Sequence, residues 1–145
     1  MTKVVYNACY GGFGLSEEAV QRYFEIKGQQ VWIEKDPQFK SFDIFTVWLV
    51  PPEERLEQKI GEKFTAMSMD ERIAYNRACS AQTWYHRYLD RHDPILVQVV
   101  EELGDKANSK YAKLRIEDVS GPYRIGEYDG FESVKTPDGY DWIIP

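Results

Sequence analysis

The chain has 145 residues, a size that fits one domain with a buried core. It is 43% hydrophobic and 29% charged, which is ordinary for a folded protein and too apolar for intrinsic disorder. The net charge of −6 argues against binding to nucleic acid or to anionic membranes, and we expect neither as a partner. Two cysteines, no basic and apolar leader and no apolar run of membrane-spanning length favour a cytoplasmic protein with reduced thiols.

The first third of the chain carries alternating signals for strands and a helix. Residues 3–10 are rich in Val and Tyr and predict a strand. Ser16 predicts an N-cap for a helix that runs to about Lys27, where a glycine follows. Residues 31–33 predict a short strand, and the nearly continuous apolar run 42–50 predicts a strand buried on both faces.

The middle of the chain, at about residues 52–90, predicts a helical segment that resembles an insertion between strands. Pro52 suits a first helical position. A four-residue repeat predicts one apolar helix face, made of Leu56, Ile60 and Phe64. Ser68 and Glu71 form a capping box for a further helix that runs to about Leu89. We expect the inner stripe of that helix to consist of Ala74, Ala78, Ala81, Tyr85 and Tyr88.

The last third predicts one helix followed by strands. Asp93, with proline next to it, predicts a sharp helix start, and Gly104 predicts its end. Alternation of apolar and charged residues over 112–117 predicts a strand, and residues 123–128 predict its return in an antiparallel meander. Asp129-Gly130 predicts a hairpin turn. Short strands are expected at residues 131–134 and 142–144.

The order of these elements predicts an α+β fold. We expect a single domain with a mostly antiparallel sheet and three to four helices packed on one face of it.

The glycine-rich stretch after the first strand is the main candidate for a ligand site. A strand, a glycine turn and a helix N-terminus can present backbone N–H groups to a phosphate, and the same glycines can simply allow a tight corner. Neither nucleotide-binding glycine motif is present, and Glu17 and Glu18 place negative charge at the helix start. Both interpretations stay open. The candidate ligand-binding residues are Asn7, Cys9, Tyr10, Gly11, Gly12, Ser16 and His92.

The sequence assigns no catalytic residue. Cys9 needs a base, and His86 or His92 can serve only if the fold brings one of them near. A buried, unreactive cysteine is the ordinary case. The spacing of Cys79, His86 and His92 matches no usual pairing of zinc ligands. We therefore expect no metal and no cofactor, and the absence of a catalytic constellation favours a protein that is not an enzyme.

Aromatic residues indicate a surface for a protein partner. The chain has ten Tyr, seven Phe and four Trp, and aromatic residues are enriched at interfaces. If residues 84–88 are helical, they place aromatic side chains on more than one face. The candidate interface residues are Trp84, Tyr85, Arg87 and Tyr88. The same surplus predicts a dimer or higher oligomer with Trp84 and Tyr88 at the contact.

Segments near both ends of the chain carry a family resemblance. Residues 6–16 read YNACYGGFGLS, residues 91–104 read RHDPILVQVVEELG and residues 127–132 read EYDGFE. Together they resemble a family of small proteins from tailed bacteriophages and prophages, whereas residues 36–90 do not follow the pattern. The resemblance implies a viral protein that acts in the cytoplasm of the infected host. It implies no activity and no catalytic residues.

These observations lead to two hypotheses of function. The first is a non-enzymatic phage accessory protein that binds a host or competing macromolecule, for instance a component of host defence. The alternative is a small-ligand or nucleotide-binding protein, or an enzyme, built around the glycine turn at residues 7–16.

Overall fold

The computed structural model describes residues 1–35, 44–57 and 59–137. Within these residues the α-helices are α1 (Glu17–Lys27), α2 (Glu62–Thr65), α3 (Met69–Ala81) and α4 (Pro94–Leu103). The strands are β1 (Thr2–Asn7), β2 (Trp32–Lys35), β3 (Phe45–Trp48), β4 (Thr83–Trp84), β5 (Leu114–Val119), β6 (Arg124–Tyr128) and β7 (Phe131–Lys135). Their pairing is antiparallel, so the predicted α+β class is confirmed. No helix in this described part is long and apolar enough to cross a membrane.

The chain divides into two compact units. Residues 1–29 and the described residues from 86 onward form the terminal unit, and the described residues between 30 and 85 form the central unit. The strands form three small sheets, with the orders β1-β5, β2-β3-β4 and β6-β7. The expected single sheet is therefore replaced by separate pairs and a triplet, and each unit is described by itself below.

Helices α1 and α4 of the terminal unit begin and end as predicted from local residues. The Ser16 hydroxyl accepts the Ala19 N–H at 3.1 Å, and Gly28 adopts a φ of 76° just after α1. The Asp93 carboxylate accepts the Ile95 N–H at 2.8 Å and also the Leu96 N–H. The two helices pack with β1 and β5 around the core, whose largest fully buried apolar side chains are Val4, Val5, Leu15, Val20, Phe24, Leu96 and Val99.

The predicted meander is wrong in its pairing. β5 pairs with β1, with Val5 opposite Ile116, rather than with the strand that follows it. β1 is buried at Val4 and Val5, and pairing with β5 satisfies its backbone groups in the core. β6 instead pairs with β7 through the predicted turn, in which Asp129 and Gly130 have φ values of 50° and 87°.

The central unit departs most from the sequence predictions. Strand β3 is half-buried to exposed at its other positions and fully buried only at Val47, so the prediction of a strand buried on both faces is wrong for the described part. Residues 36–43 and the strand expected at 142–144 lie outside the described residues. The continuous helix through Leu56, Ile60 and Phe64 is also wrong. A short 3-10 turn at Pro52–Glu54 ends at an extended Arg55, and the four-residue α2 begins only after Gly61, which has a φ of 59°.

Helix α3 begins at the predicted cap, but it ends earlier than predicted and packs through a different face. The Ser68 hydroxyl accepts the Glu71 N–H, whereas the helix ends at Ala81 because the next residues pair with β3. The expected inner stripe is exposed at all five positions, Ala74, Ala78, Ala81, Tyr85 and Tyr88. The packed face is polar instead, since Arg72 binds carbonyl oxygens of the preceding segment and the Tyr75 hydroxyl donates to the Glu57 carbonyl.

Replacing Asp93 with Ala should lower the free energy of unfolding by about 1–2 kcal/mol, since it removes the helix cap. It also removes the carboxylate oxygen that accepts the Tyr23 hydroxyl at 2.9 Å. Asp93→Asn, which keeps an acceptor for the cap, should cost less, and Asp90→Ala at an exposed neighbour should have little effect. Urea unfolding of the three variants measures this, and an Asp93→Ala variant as stable as the wild type would contradict it.

Candidate functional site

The glycine turn lies between the end of β1 and the start of α1, and it is held against two other segments of the terminal unit. The Cys9 thiol lies 3.0 Å from the Tyr111 carbonyl oxygen. A Cβ atom added at Gly11 would overlap that same carbonyl, and one at Gly130 would lie 2.5 Å from the Tyr10 carbonyl oxygen. Gly11 and Gly130 therefore allow a close approach of backbone to backbone.

Asn7, the last residue of β1, links the segments behind the turn. Its side chain is fully buried, and its amide Nδ2 donates to the carbonyl oxygens of Cys9 at 2.7 Å and Gly130 at 2.9 Å. Its Oδ1 accepts the Lys113 N–H at 2.8 Å. Because this side chain is satisfied by the protein itself, Asn7 fixes the strand end, the turn and the hairpin relative to one another.

A buried ion pair lies next to Asn7. Glu132 on β7 is 5% exposed and accepts both Arg91 Nη1 at 2.6 Å and Arg91 Nη2 at 2.9 Å. Its Oε1 also accepts the Asn7 backbone N–H at 2.8 Å. The Arg91 guanidinium lies 3.6 Å from the ring centroid of Phe13 in the turn. The bidentate pair thus joins β1, β7 and the loop before α4 in one network.

Neither of these central residues, Arg91 and Glu132, was among the candidates from the sequence. One signal was present, since Glu132 alternates with Val134 and therefore shares a strand face with an apolar residue. A carboxylate on an inward face indicates a buried partner. The identity of that partner, 41 positions away, depends on the tertiary fold.

The two histidines have separate surroundings. His86 packs 5.5 Å from the Phe13 ring, and burial lowers the pKa of its imidazole below the ordinary value. His92 is exposed, and its Nδ1 lies 2.6 Å from the Tyr123 hydroxyl. Burial and the nearby Asp90 carboxylate raise the pKa of that hydroxyl above its ordinary value. His92 is therefore engaged with Tyr123.

The structure brings only some of the predicted ligand-binding residues together. Asn7, Cys9, Tyr10, Gly11 and Gly12 form the turn, while Ser16 caps α1 and donates to the Lys106 carbonyl at 2.6 Å. The hydrogen bonds of the Cys9 thiol in the described part go to Asn7 and Tyr111 rather than to a histidine. These contacts favour the interpretation of the turn as a structural corner. Within the described residues, no cluster of three or more His, Cys, Asp or Glu could hold a metal ion.

The predicted interface residues do not form one helix face. Trp84 is half-buried in β4, and Tyr85 follows as an exposed residue. Arg87 and Tyr88 are exposed and lie in a 3-10 turn of the terminal unit. The expected helix through 84–88 is wrong, because the chain forms a strand pair there and then turns.

A second group of exposed aromatic side chains lies on the glycine turn and on the segments whose backbone contacts it. We name it the aromatic face, and it consists of Tyr10, Tyr111, Tyr128 and Phe131. Tyr128 and Phe131 lie opposite each other at the end of the β6-β7 hairpin, and the Phe131 ring centroid is 5.2 Å from that of Tyr10. Tyr10 is 65% exposed and Tyr128 is 78% exposed. The aromatic face therefore presents rings to solvent from backbone segments that hydrogen bonds join to one another.

Comparison of the chain with models of protein families, with curated proteins and with solved structures found no match.

Proposed function

We propose that this chain is a non-enzymatic accessory protein that binds another protein through the aromatic face. In line with the resemblance of its two ends, the chain would be a phage protein and its partner a host or competing protein. The observation that carries the proposal is the exposure of four aromatic side chains on segments that hydrogen bonds of Asn7 and Cys9 join.

The network behind the face supports a binding role. Asn7 Nδ2 joins the turn that carries Tyr10 to the hairpin that carries Tyr128 and Phe131, through Gly130. Residues held in place before binding lose less conformational entropy when a partner docks. Tyrosine is also enriched among the residues that dominate binding energy at protein interfaces. Exposed tyrosines on a backbone that is held in this way therefore suit recognition of a partner.

The charges next to the face indicate the chemistry of the partner. Glu127 and Asp129 flank Tyr128 on the hairpin and are exposed. The whole chain has a net charge of −6. Because Lys110 Nζ lies 5.5 Å from the Tyr111 ring centroid, we expect basic residues of the partner only opposite Tyr128, beside an apolar pocket, and association that slows as salt is added.

The double substitution Tyr10→Ala/Tyr128→Ala should weaken binding of the partner by about 100-fold or more, because two central aromatic contacts are lost. Proteins captured from a bacterial host lysate by the wild type are identified, purified and titrated by calorimetry. The matched control is Tyr85→Ala/Tyr88→Ala, which removes two exposed tyrosines of the interface predicted from the sequence. The control should bind within about threefold of the wild type.

The opposite pattern, with binding lost only in the Tyr85→Ala/Tyr88→Ala variant, would place the contact at residues 84–88 and overturn the assignment to the aromatic face. The same variants test self-association by sedimentation. If the wild type is a dimer and Tyr10→Ala/Tyr128→Ala is a monomer, a second copy covers the face and the proposed partner is wrong.

A further inference from the structure

A pocket lies in the central unit, on the packed side of α3. Its volume is about 440 Å³, within the range of sites for small ligands. Its walls are Trp48, Arg55, Leu56, Tyr75, Cys79 and Gln82. Most of these side chains are apolar or aromatic, so the pocket suits an organic group rather than a hydrated ion.

Arg55 is the one cation among these lining residues, and part of its guanidinium is unpaired. Its Cζ lies 4.2 Å from the Trp48 ring centroid, and its Nη1 lies 2.9 Å from each carboxylate oxygen of Glu34. The side chain is only 15% exposed. Nε and Nη2 are buried and have no hydrogen-bond partner among the described residues. Buried donors without a partner are rare in folded proteins, and each requires an explanation.

The other polar groups of the pocket are already engaged. Gln82 accepts the Leu56 N–H at 2.9 Å and donates to the Glu54 carbonyl at 3.0 Å. The Tyr75 hydroxyl accepts the Lys59 N–H at 2.7 Å and donates to the Glu57 carbonyl at 3.0 Å. These bonds hold the segment around residues 54–59 against α3. The side-chain oxygens of Gln82 and Tyr75 therefore accept hydrogen bonds from backbone N–H groups and not from Arg55.

We propose that this pocket binds an organic monocarboxylate with an apolar body. The Nε–H and Nη2–H groups of a guanidinium point in parallel along one edge, and that edge matches the two oxygens of a carboxylate. Trp48 and Leu56 provide apolar contact for the rest of the ligand. The same chemistry is offered by a free small acid and by the C-terminal carboxylate of a peptide with an apolar last residue.

The neighbouring charges favour a single negative charge on the ligand. Glu34 already pairs with Nη1, and Glu54 lies on the segment that borders the pocket, whereas the Glu57 carboxylate there is paired with Lys63. A phosphate dianion would meet stronger repulsion from these carboxylates than a monoanion does. Nε and Nη2 are buried in this structure, so a ligand that bonds to them has to displace neighbouring side chains locally.

The direct test follows the Arg55 Nε–H resonance of the ¹⁵N-labelled full chain by NMR. The probes are 3-phenylpropionate, its amide, inorganic phosphate, and an acetyl-Gly-Leu peptide with either a free or an amidated C-terminus. We expect a saturable shift with 3-phenylpropionate or with the free-acid peptide and none with either amide. The stronger of the two acids identifies the source of the carboxylate. The proposal is overturned if neither acid gives a saturable shift at concentrations up to about 10 mM, because a Kd above that value is too weak for a useful site. A response to phosphate alone also overturns it.

Two variants test the role of the parallel Nε–H and Nη2–H groups of Arg55. Arg55→Lys keeps the positive charge but loses the parallel donors, and it should weaken binding of the acid probe at least tenfold. Glu34→Gln removes the competing carboxylate and should tighten binding severalfold. Arg77→Lys, at an exposed position on α3, is the matched control and should bind like the wild type. Unchanged affinity in Arg55→Lys overturns the proposal. If that variant fails to fold, the acid and amide comparison on the wild type still decides.

Discussion

Replacing Glu132 with Ala should lower the free energy of unfolding by about 3–5 kcal/mol, one of the largest effects expected for a single residue of this chain. The substitution removes three hydrogen bonds, two from Arg91 and one from the Asn7 backbone N–H. The Arg91 guanidinium is then left largely buried without its counter-charge. The cost comes mainly from this uncompensated charge, because an ion pair that stays intact offsets the desolvation of both partners.

The matched control for this substitution is Glu127→Ala. Glu127 lies opposite Glu132 in the same hairpin and is exposed, so its removal should change the free energy of unfolding by less than about 0.5 kcal/mol. Urea unfolding followed by circular dichroism gives both values. Equal effects of the two substitutions would mean that the Arg91–Glu132 pair contributes nothing in solution.

A double substitution separates the charge from the packing. Arg91→Met/Glu132→Met replaces both charged groups with apolar side chains of comparable length. We expect it to lower the free energy of unfolding by clearly less than Arg91→Met and Glu132→Met do in sum, because no unpaired charge remains. The Asn7 N–H still loses its acceptor, so the double variant should stay below the wild type in stability.

Local signals in the sequence predicted the helix ends of the terminal unit well. The capping bonds of Ser16, Gly28 and Asp93 reach residues at most four positions away, so the sequence alone indicates these helix ends. Ser16 and Asp93 make further contacts, with Lys106 and Tyr23, that the local sequence does not indicate. The hairpin turn at Asp129-Gly130 is of the same kind, since both residues adopt the positive φ that the turn requires.

The central unit was predicted poorly because its helices do not pack through a periodic row of apolar side chains. The repeat of Leu56 and Ile60 has the spacing of a helix face, yet both side chains are exposed. The segment is held instead by side chains that bond to backbone carbonyls, as Tyr75 and Gln82 do. Such contacts leave no periodic pattern in the sequence, and a periodicity argument therefore assigned the wrong face to α3.

The sequence also indicated only part of the candidate site, because local patterns do not show contacts between distant segments. The glycines and Asn7 stand in one short segment, so the sequence indicated that the turn is special. The other half of the network comes from Arg91 and Glu132, and the aromatic face adds Tyr128 and Phe131 from the hairpin. These residues reach the turn only because β7 lies beside β1, a contact between the two ends of the described chain. Local patterns carry no information about that pairing.

Substitution of the glycines by Ala separates the structural and ligand-binding interpretations of the turn. Gly11→Ala should lower the free energy of unfolding by about 2–3 kcal/mol, because the new Cβ would overlap the Tyr111 carbonyl oxygen and lie 2.6 Å from the Tyr111 Cβ. Backbone atoms cannot move aside as a flexible side chain does. The hydrogen bond between the Cys9 thiol and the same carbonyl would be strained as well.

The neighbouring Gly12→Ala variant should cost only about 1 kcal/mol, for a different reason. Gly12 has a φ of 88° but no atom within 4 Å of an added Cβ, so only the backbone conformation is penalised. Gly121→Ala, with neither a positive φ nor a close neighbour, should be neutral within about 0.5 kcal/mol. The expected order of destabilisation is Gly11, Gly12, Gly121, measured by urea unfolding at one pH and salt concentration. A Gly11→Ala variant with wild-type stability would show that Tyr111 does not approach the turn in solution, and the glycines would then be free to serve a ligand.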